Sequence, residues 1–166
     1  MIQLRPATIL DLDILLHWDT QQHVIDADPD DDWDWTYELP RTVSWREQLI
    51  AELNDNPIGM VQIIDPLREE THYWGEVPDN LRAIDIWIGD RDNLGKGFGT
   101  KIMNLALARC FDPPEITAVL IDPLENNIKA HRFYERLGFK FVEKRDFDET
   151  RCCVYQLTRK AWRESL

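Results

Sequence analysis

Three alternating glycines, Gly95, Gly97 and Gly99, lie in the stretch Leu94-Gly95-Lys96-Gly97-Phe98-Gly99-Thr100, directly before a helix-like run over residues 101–111. Glycine has no Cβ, so its backbone enters positive φ and lets a ligand come close. A glycine-rich turn that opens a helix aims several free N–H groups at one place, with the positive end of the helix dipole behind them. Such a turn suits phosphate or diphosphate. The alternative for the glycines alone is a helix start whose glycines only permit close packing. The spacing excludes the nucleotide P-loop, which needs four residues between its first Gly and Gly-Lys-Ser/Thr. It also excludes the dinucleotide fingerprint, whose third glycine would fall at Thr100.

The 166 residues predict a single domain, 1–166, with one substantial core. Apolar content of 43% and charged content of 30% are ordinary for a globular protein. No run approaches the ~18 apolar residues of a membrane span, and the N-terminus lacks a signal-peptide pattern. The expectation is a cytoplasmic protein without a membrane partner. Cys110, Cys152 and Cys153 form no disulfide framework and no zinc spacing, so no metal is expected. The 31 acids against 19 bases give a net charge of −12, which argues against nucleic acid and suits a cationic partner, if it does more than keep the chain soluble.

Ile2 and Leu4 alternate with polar residues and predict a first strand. Thr8 and Asp11 form a capping-box start, followed by the helical apolar spacing Ile9, Leu12, Leu15, Leu16. Residues 26–38 hold seven acids interleaved with Trp33, Trp35 and Tyr37, and predict an exposed loop. It is either a solvated acidic loop or a wall for a cationic ligand with cation–π contact. A hairpin is expected near 48–53 and 58–64, then a polar aromatic loop to residue 82, then a strand over 83–88 interrupted by Asp85. Ile102, Met103, Ala106, Leu107 and Cys110 stripe the helix after the glycines. A buried strand follows over 116–121. Next comes a helix capped by Asn126 or Asn127 and closed by Gly138. Two strands, over 139–144 and 151–157, are expected to end the chain. The result is an α/β (α+β) fold, a mixed central sheet of about seven strands flanked by about four helices.

The pair Gly97 and Gly99 resembles the acetyl-CoA loop of the Gcn5-related N-acetyltransferase (GNAT) superfamily, Gln/Arg-x-x-Gly-x-Gly/Ala, with Leu94 at the first position. A second landmark of that superfamily, an Asn after the fifth strand and then a Tyr-bearing helix ending in Gly-Phe, is similar to the run from Asn126 to Phe139. The resemblance covers nearly the whole chain. It implies an acetyl-CoA-dependent acyltransferase with Gly95, Lys96, Gly97, Phe98, Gly99 and Thr100 around the diphosphate. Trp87, Ile88 and Asn127 would then lie along the pantetheine arm. Tyr134 becomes the general acid for the leaving thiolate, and Asp85, a carboxylate inside an apolar strand, the general base. The alternatives are a core tyrosine at 134 and a solvent-facing carboxylate at 85.

More narrowly, Arg82-Ala83-Ile84-Asp85, the glycine loop, and Asp122-Pro123 leading into Asn127 resemble the aminoglycoside 6′-N-acetyltransferases, the antibiotic-resistance branch in which a leucine at the loop start is usual. That resemblance implies Asp85 and Asp122 as ligands of substrate amines, with Trp33, Tyr73, Trp74 and Asp148 as further substrate contacts. The partner is then a cationic small-molecule amine, and the enzyme a monomer or homodimer. Competing functions are acylation of a protein N-terminus, a polyamine or a siderophore hydroxylamine, and a non-catalytic acyl-CoA sensor.

Overall fold

A computed structural model describes residues 1–166. Seven strands form one sheet in the order β1-β2-β3-β4-β5-β7-β6. They are β1 (Ile2–Pro6), β2 (Arg46–Leu53), β3 (Asn56–Ile64), β4 (Leu81–Ile88), β5 (Ala118–Ile121), β6 (Lys140–Phe147) and β7 (Thr150–Thr158). The six helices are α1 (Leu12–Trp18), α2 (Gln22–Ala27), α3 (Trp35–Glu38), α4 (Phe98–Phe111), α5 (Ile128–Arg136) and α6 (Arg159–Glu164). No helix is long and apolar enough to cross a membrane. The chain divides into two compact units, Met1–Ile63 with Asp85–Ala106, and Ile64–Ile84 with Leu107–Leu166. Both units are discontinuous in sequence, which is why no linker composition marks a boundary.

In the first unit β1 pairs antiparallel with β2, Ile2 opposite Leu53. The capping box forms as expected: Thr8 Oγ1 accepts from Leu10 N, and Asp11 Oδ2 accepts from Thr8 N at 2.8 Å. Asp11 also takes two bonds from Arg5, whose Nε reaches Glu52 at 2.7 Å. The core of this unit gathers Leu15, Trp18, Trp35, Leu39, Ile50 and Met60. Gly89 serves packing here. A Cβ on it would lie 2.0 Å from the Trp18 ring.

In the second unit β4 and β5 run parallel, with Leu81 opposite Ala118 and Ala83 opposite Leu120. β5 is buried throughout, as its unbroken apolar run requires. β7 lies antiparallel between β5 and β6. The core cluster contains Trp74, Leu81, Ala118, Leu120, Phe147 and Val154.

Three expectations are corrected. Residues 26–38 are not one exposed loop. They include the end of α2 and all of α3, and Trp35 is 2% exposed. The indole area outweighs the polarity of its neighbours, and Trp35 Nε1 finds a partner in Asp19. The chain ends in α6 rather than a strand, capped by Thr158 Oγ1 accepting from Ala161 N, with Trp162 stacked 4.8 Å from Phe111. The glycine-led helix starts at Phe98, so Gly99 and Thr100 belong to its first turn.

Candidate active site

The glycine stretch follows a short 3₁₀ turn, Arg91–Asn93, that leaves Leu94 extended at φ −72°, ψ 152°. Gly95 and Gly97 then take φ +70° and +79°, the left-handed region that an L side chain rarely enters. A Cβ built on either glycine meets no atom within 4 Å. Close packing is therefore not their purpose, and the loop faces open space. Gly95, Lys96 and Gly97 are exposed. The first intrahelical bond of α4 runs from Lys101 N to Gly97 O, so the amides of Phe98, Gly99 and Thr100 precede it. No acid occupies the first turn of α4. A fourteen-residue helix with no acid in its first turn, and with Lys96 and Lys101 beside that turn, leaves a positive end that can receive an external anion. Its stripe Ile102, Met103, Ala106, Leu107 and Cys110 is buried, which fixes the axis along which those amides point.

Asp85 sits on β4, half-buried. Burial, and then the charge of Asp28, push its carboxyl from 3.8 up to about 7. Asp31 is pushed further, to about 9, by burial, by a hydrogen bond with Asp28 and by the charges of Asp28, Asp85 and Asp19. Asp19 is also raised by burial, against the opposing pull of its bond from Trp35. Four carboxyls thus share one neighbourhood. The segment bearing Asp28 and Asp31 is fastened by indoles: Trp33 stacks on Trp35 at 5.4 Å and on Trp87 of β4 at 5.7 Å. The Ile88 carbonyl accepts from His23 Nε2 at 2.8 Å, pinning α2 to the same strand. Sequence reasoning singled out Asp85 and Trp33 but missed Asp19, Asp28 and Asp31 as its companions. The acid run was visible; its fold-back onto β4 was not.

In the second unit the Tyr73 hydroxyl donates to the Asp122 carboxylate, so the structure joins two of the expected substrate contacts. Phe147 stacks on the Tyr73 ring at 4.4 Å. Trp74, expected as a substrate contact, lies in the core. It is 2% exposed and packs edge-on against Phe147. Asp148 is exposed in the β6–β7 turn at φ +53°. Asn127 caps α5, its Oδ1 accepting from Ala130 N at 3.2 Å. Tyr134 is half-buried on α5, edge-on to Phe133 and Phe139. Gly138, at φ +98°, closes α5. The Phe139 N–H reaches the Tyr134 carbonyl at 3.1 Å and the Gly138 N–H the Glu135 carbonyl at 3.0 Å, a Schellman ending. No cluster of three or more His, Cys, Asp or Glu side chains is arranged to hold a metal.

Residues 8–147 match the family described as Acetyltransferase (GNAT) domain. The chain is 31% identical to the aminoglycoside N(6′)-acetyltransferase type 1 of Klebsiella pneumoniae over 153 residues, 84% of this chain and 74% of that protein. It is 25% identical to the lysine N-acyltransferase MbtK of Mycobacterium tuberculosis over 168 residues, 93% of this chain and 76% of that one. Among solved structures, aminoglycoside acetyltransferase AAC(6′)-Ib in complex with coenzyme A and kanamycin superimposes with a TM-score of 0.86 at 27% identity, covering 99% of each chain. The same enzyme with ribostamycin and coenzyme A gives 0.88, covering 99% of this chain and 97% of that one.

Proposed function

This chain belongs to the GNAT acetyltransferases, and from that premise we propose that it moves an acetyl group from acetyl-CoA to a primary amine of a polycationic small molecule of the aminoglycoside kind. One observation carries the reading. The 95–100 loop has two left-handed glycines with empty space at each missing Cβ, ahead of a helix without a first-turn acid. Its amides hold the diphosphate of CoA. The main chain at Trp87 and Ile88 lines the pantetheine arm, and Asn127 Nδ2 serves it, since Oδ1 is occupied by Ala130.

The acceptor arrives as an ammonium and must lose a proton to attack. Asp85, raised to about 7, is poised near ambient pH for that removal. The freed nitrogen bonds to the thioester carbon, the carbon–sulfur bond breaks, Tyr134 gives its proton to the departing thiolate, and the second proton that the acylated nitrogen sheds restores the Tyr134 hydroxyl, all within one ternary complex. Asp122 with Tyr73, the carboxyls about Asp85 and the exposed Asp148 receive the remaining positive groups of the acceptor. Trp33 adds an aromatic face worth ~0.5–2 kcal/mol to a cation. The net charge of −12 speeds the approach of such a ligand.

Thiol release from acetyl-CoA against a panel of amines tests this. Turnover with kanamycin supports it. Turnover confined to peptides points to N-terminal acylation. Turnover confined to lysine or hydroxylamine acceptors fits the kinship with the lysine acyltransferase. Binding of acetyl-CoA without turnover leaves a sensor.

A further inference from the structure

α5 carries Tyr134 yet buries none of its own residues. Side chains sunk in the core therefore do less to fix its roll than they do for α4, whose apolar stripe is fully buried. Polar contacts take that task. Tyr155 lies on β7, 3% exposed, opposite Ile121 of β5 and Phe141 of β6. Its hydroxyl donates to Glu135 Oε1 at 3.0 Å and sits 3.2 Å from His131 Nδ1. Residues 131 and 135 are one turn apart and share a helix face. The imidazole stands edge-on to the Tyr155 ring, 5.6 Å between centroids.

The far side of the imidazole is held too. His131 Nε2 lies 2.8 Å from the Leu124 carbonyl, which can only accept, so Nε2 carries the hydrogen. That carbonyl also takes the Asn127 N–H at 3.0 Å, and Leu124 bridges to Cys152 of β7. One buried hydroxyl thus ties α5 to a rigid strand through Glu135, while the imidazole, one turn earlier, ties the helix to the segment that leads into it. Tyr134 falls between the two clamped positions. Burial, then the neighbouring Glu135, push the Tyr155 hydroxyl up to about 12, so it remains a donor at ordinary pH. Glu135 is exposed and water would satisfy it if Tyr155 did not. The bond consequently contributes more to geometry than to stability.

We propose that Tyr155 is a positioning residue for acetyl transfer: by donating to Glu135 it sets the roll of α5 and so aims the Tyr134 hydroxyl. The inference rests on the reading of Tyr134 as proton donor to the thiolate. It predicts a mechanical role for a side chain remote in sequence from both family motifs.

The test compares wild type, Tyr155→Phe, Tyr134→Phe and the double variant, assayed with acetyl-CoA and kanamycin, alongside amide hydrogen exchange over α5. Tyr155→Phe should lower kcat about tenfold with the KM for acetyl-CoA within about twofold. Its Tm should fall by less than about 5 °C. The α5 amides should exchange faster, and the double variant should be no slower than Tyr134→Phe. Glu135→Gln, which still accepts from the hydroxyl, should stay near wild type, and Glu135→Ala should follow Tyr155→Phe. If Tyr134→Phe alone loses activity and Tyr155→Phe does not, the positioning role is wrong and the acid role stands. If Tyr134→Phe is fully active, the acid role fails and takes this inference with it. Independent, multiplying losses would show that Tyr155 acts by another route. Unchanged α5 exchange in Tyr155→Phe overturns the clamp whatever the turnover.

Discussion

Trp35 Nε1 donates a 2.8 Å hydrogen bond to Asp19 Oδ2, and that bond helps fasten an acid-rich segment to the sheet. Trp35 is 2% exposed and stacks on Trp33, which stacks in turn on Trp87. Trp35→Ala should cost about 3–5 kcal/mol of stability by opening a cavity. Asp19→Asn, which can still accept the bond, should cost under about 1 kcal/mol. Urea unfolding of both variants checks the contrast. Equal losses would mean that the indole is not a core anchor.

The two kinds of glycine predict different phenotypes. Gly97→Val places a β-branched side chain at φ +79° in open space, so it strains the loop and blocks the anion while the core stays intact. CoA affinity should fall at least about tenfold by calorimetry, with backbone strain of about 1–3 kcal/mol. Gly89→Ala drives a Cβ into Trp18 and should unfold the first unit. Unchanged CoA affinity in Gly97→Val refutes the loop assignment.

Asp85 sets a pH dependence. Below about 7 its carboxyl holds a proton and cannot serve as base, so kcat/KM should rise with pH and level off above that value. Asp85→Asn should lower kcat at least about 100-fold at neutral pH, the scale of general base catalysis. The defect should shrink only at high pH, where free amine becomes abundant. A variant with undiminished kcat removes Asp85 from the mechanism.

Asp31 predicts a stability effect of fixed sign. Its carboxyl titrates near 3.8 when unfolded and near 9 when folded, so the folded state binds more protons between those values. Stability should decline as pH climbs through that window. Asp31→Asn should therefore raise Tm at pH 8 and leave it unchanged at pH 3. A Tm gain of equal size at both pH values would show that the charge is not responsible.

Asp122→Asn keeps shape and removes charge beside Tyr73. A charge-assisted hydrogen bond contributes about 1.5–3 kcal/mol, so the amine KM should rise between about tenfold and 100-fold while the KM for acetyl-CoA holds. Steady-state kinetics in both substrates separates the two. A change confined to acetyl-CoA would move Asp122 to the other ligand.

The local chemistry of this chain was legible in its sequence. The capping box at Thr8, the buried run in β5, the Asn127 cap and the Gly138 stop follow from rules that act over a few residues, and the structure has all of them. Long-range burial was not legible. Nothing local distinguishes Trp35, which folds into the core, from the exposed Tyr37 two residues on, nor shows that Trp74 is sealed while adjacent Tyr73 reaches Asp122. The site divides the same way. The glycine loop announces itself by its alternating glycines and their spacing, whereas the carboxyls gathered around Asp85 depend on a fold-back that no short window encodes. α6 was missed because Thr158 ends a strand and caps a helix at once.

A crystal structure of the protein soaked with acetyl-CoA and kanamycin tests the central claim most directly. The account predicts diphosphate oxygens within about 3 Å of the main-chain amides of residues 95–100, and a kanamycin amine at Asp85. A diphosphate bound elsewhere, with those amides left to solvent, would contradict it.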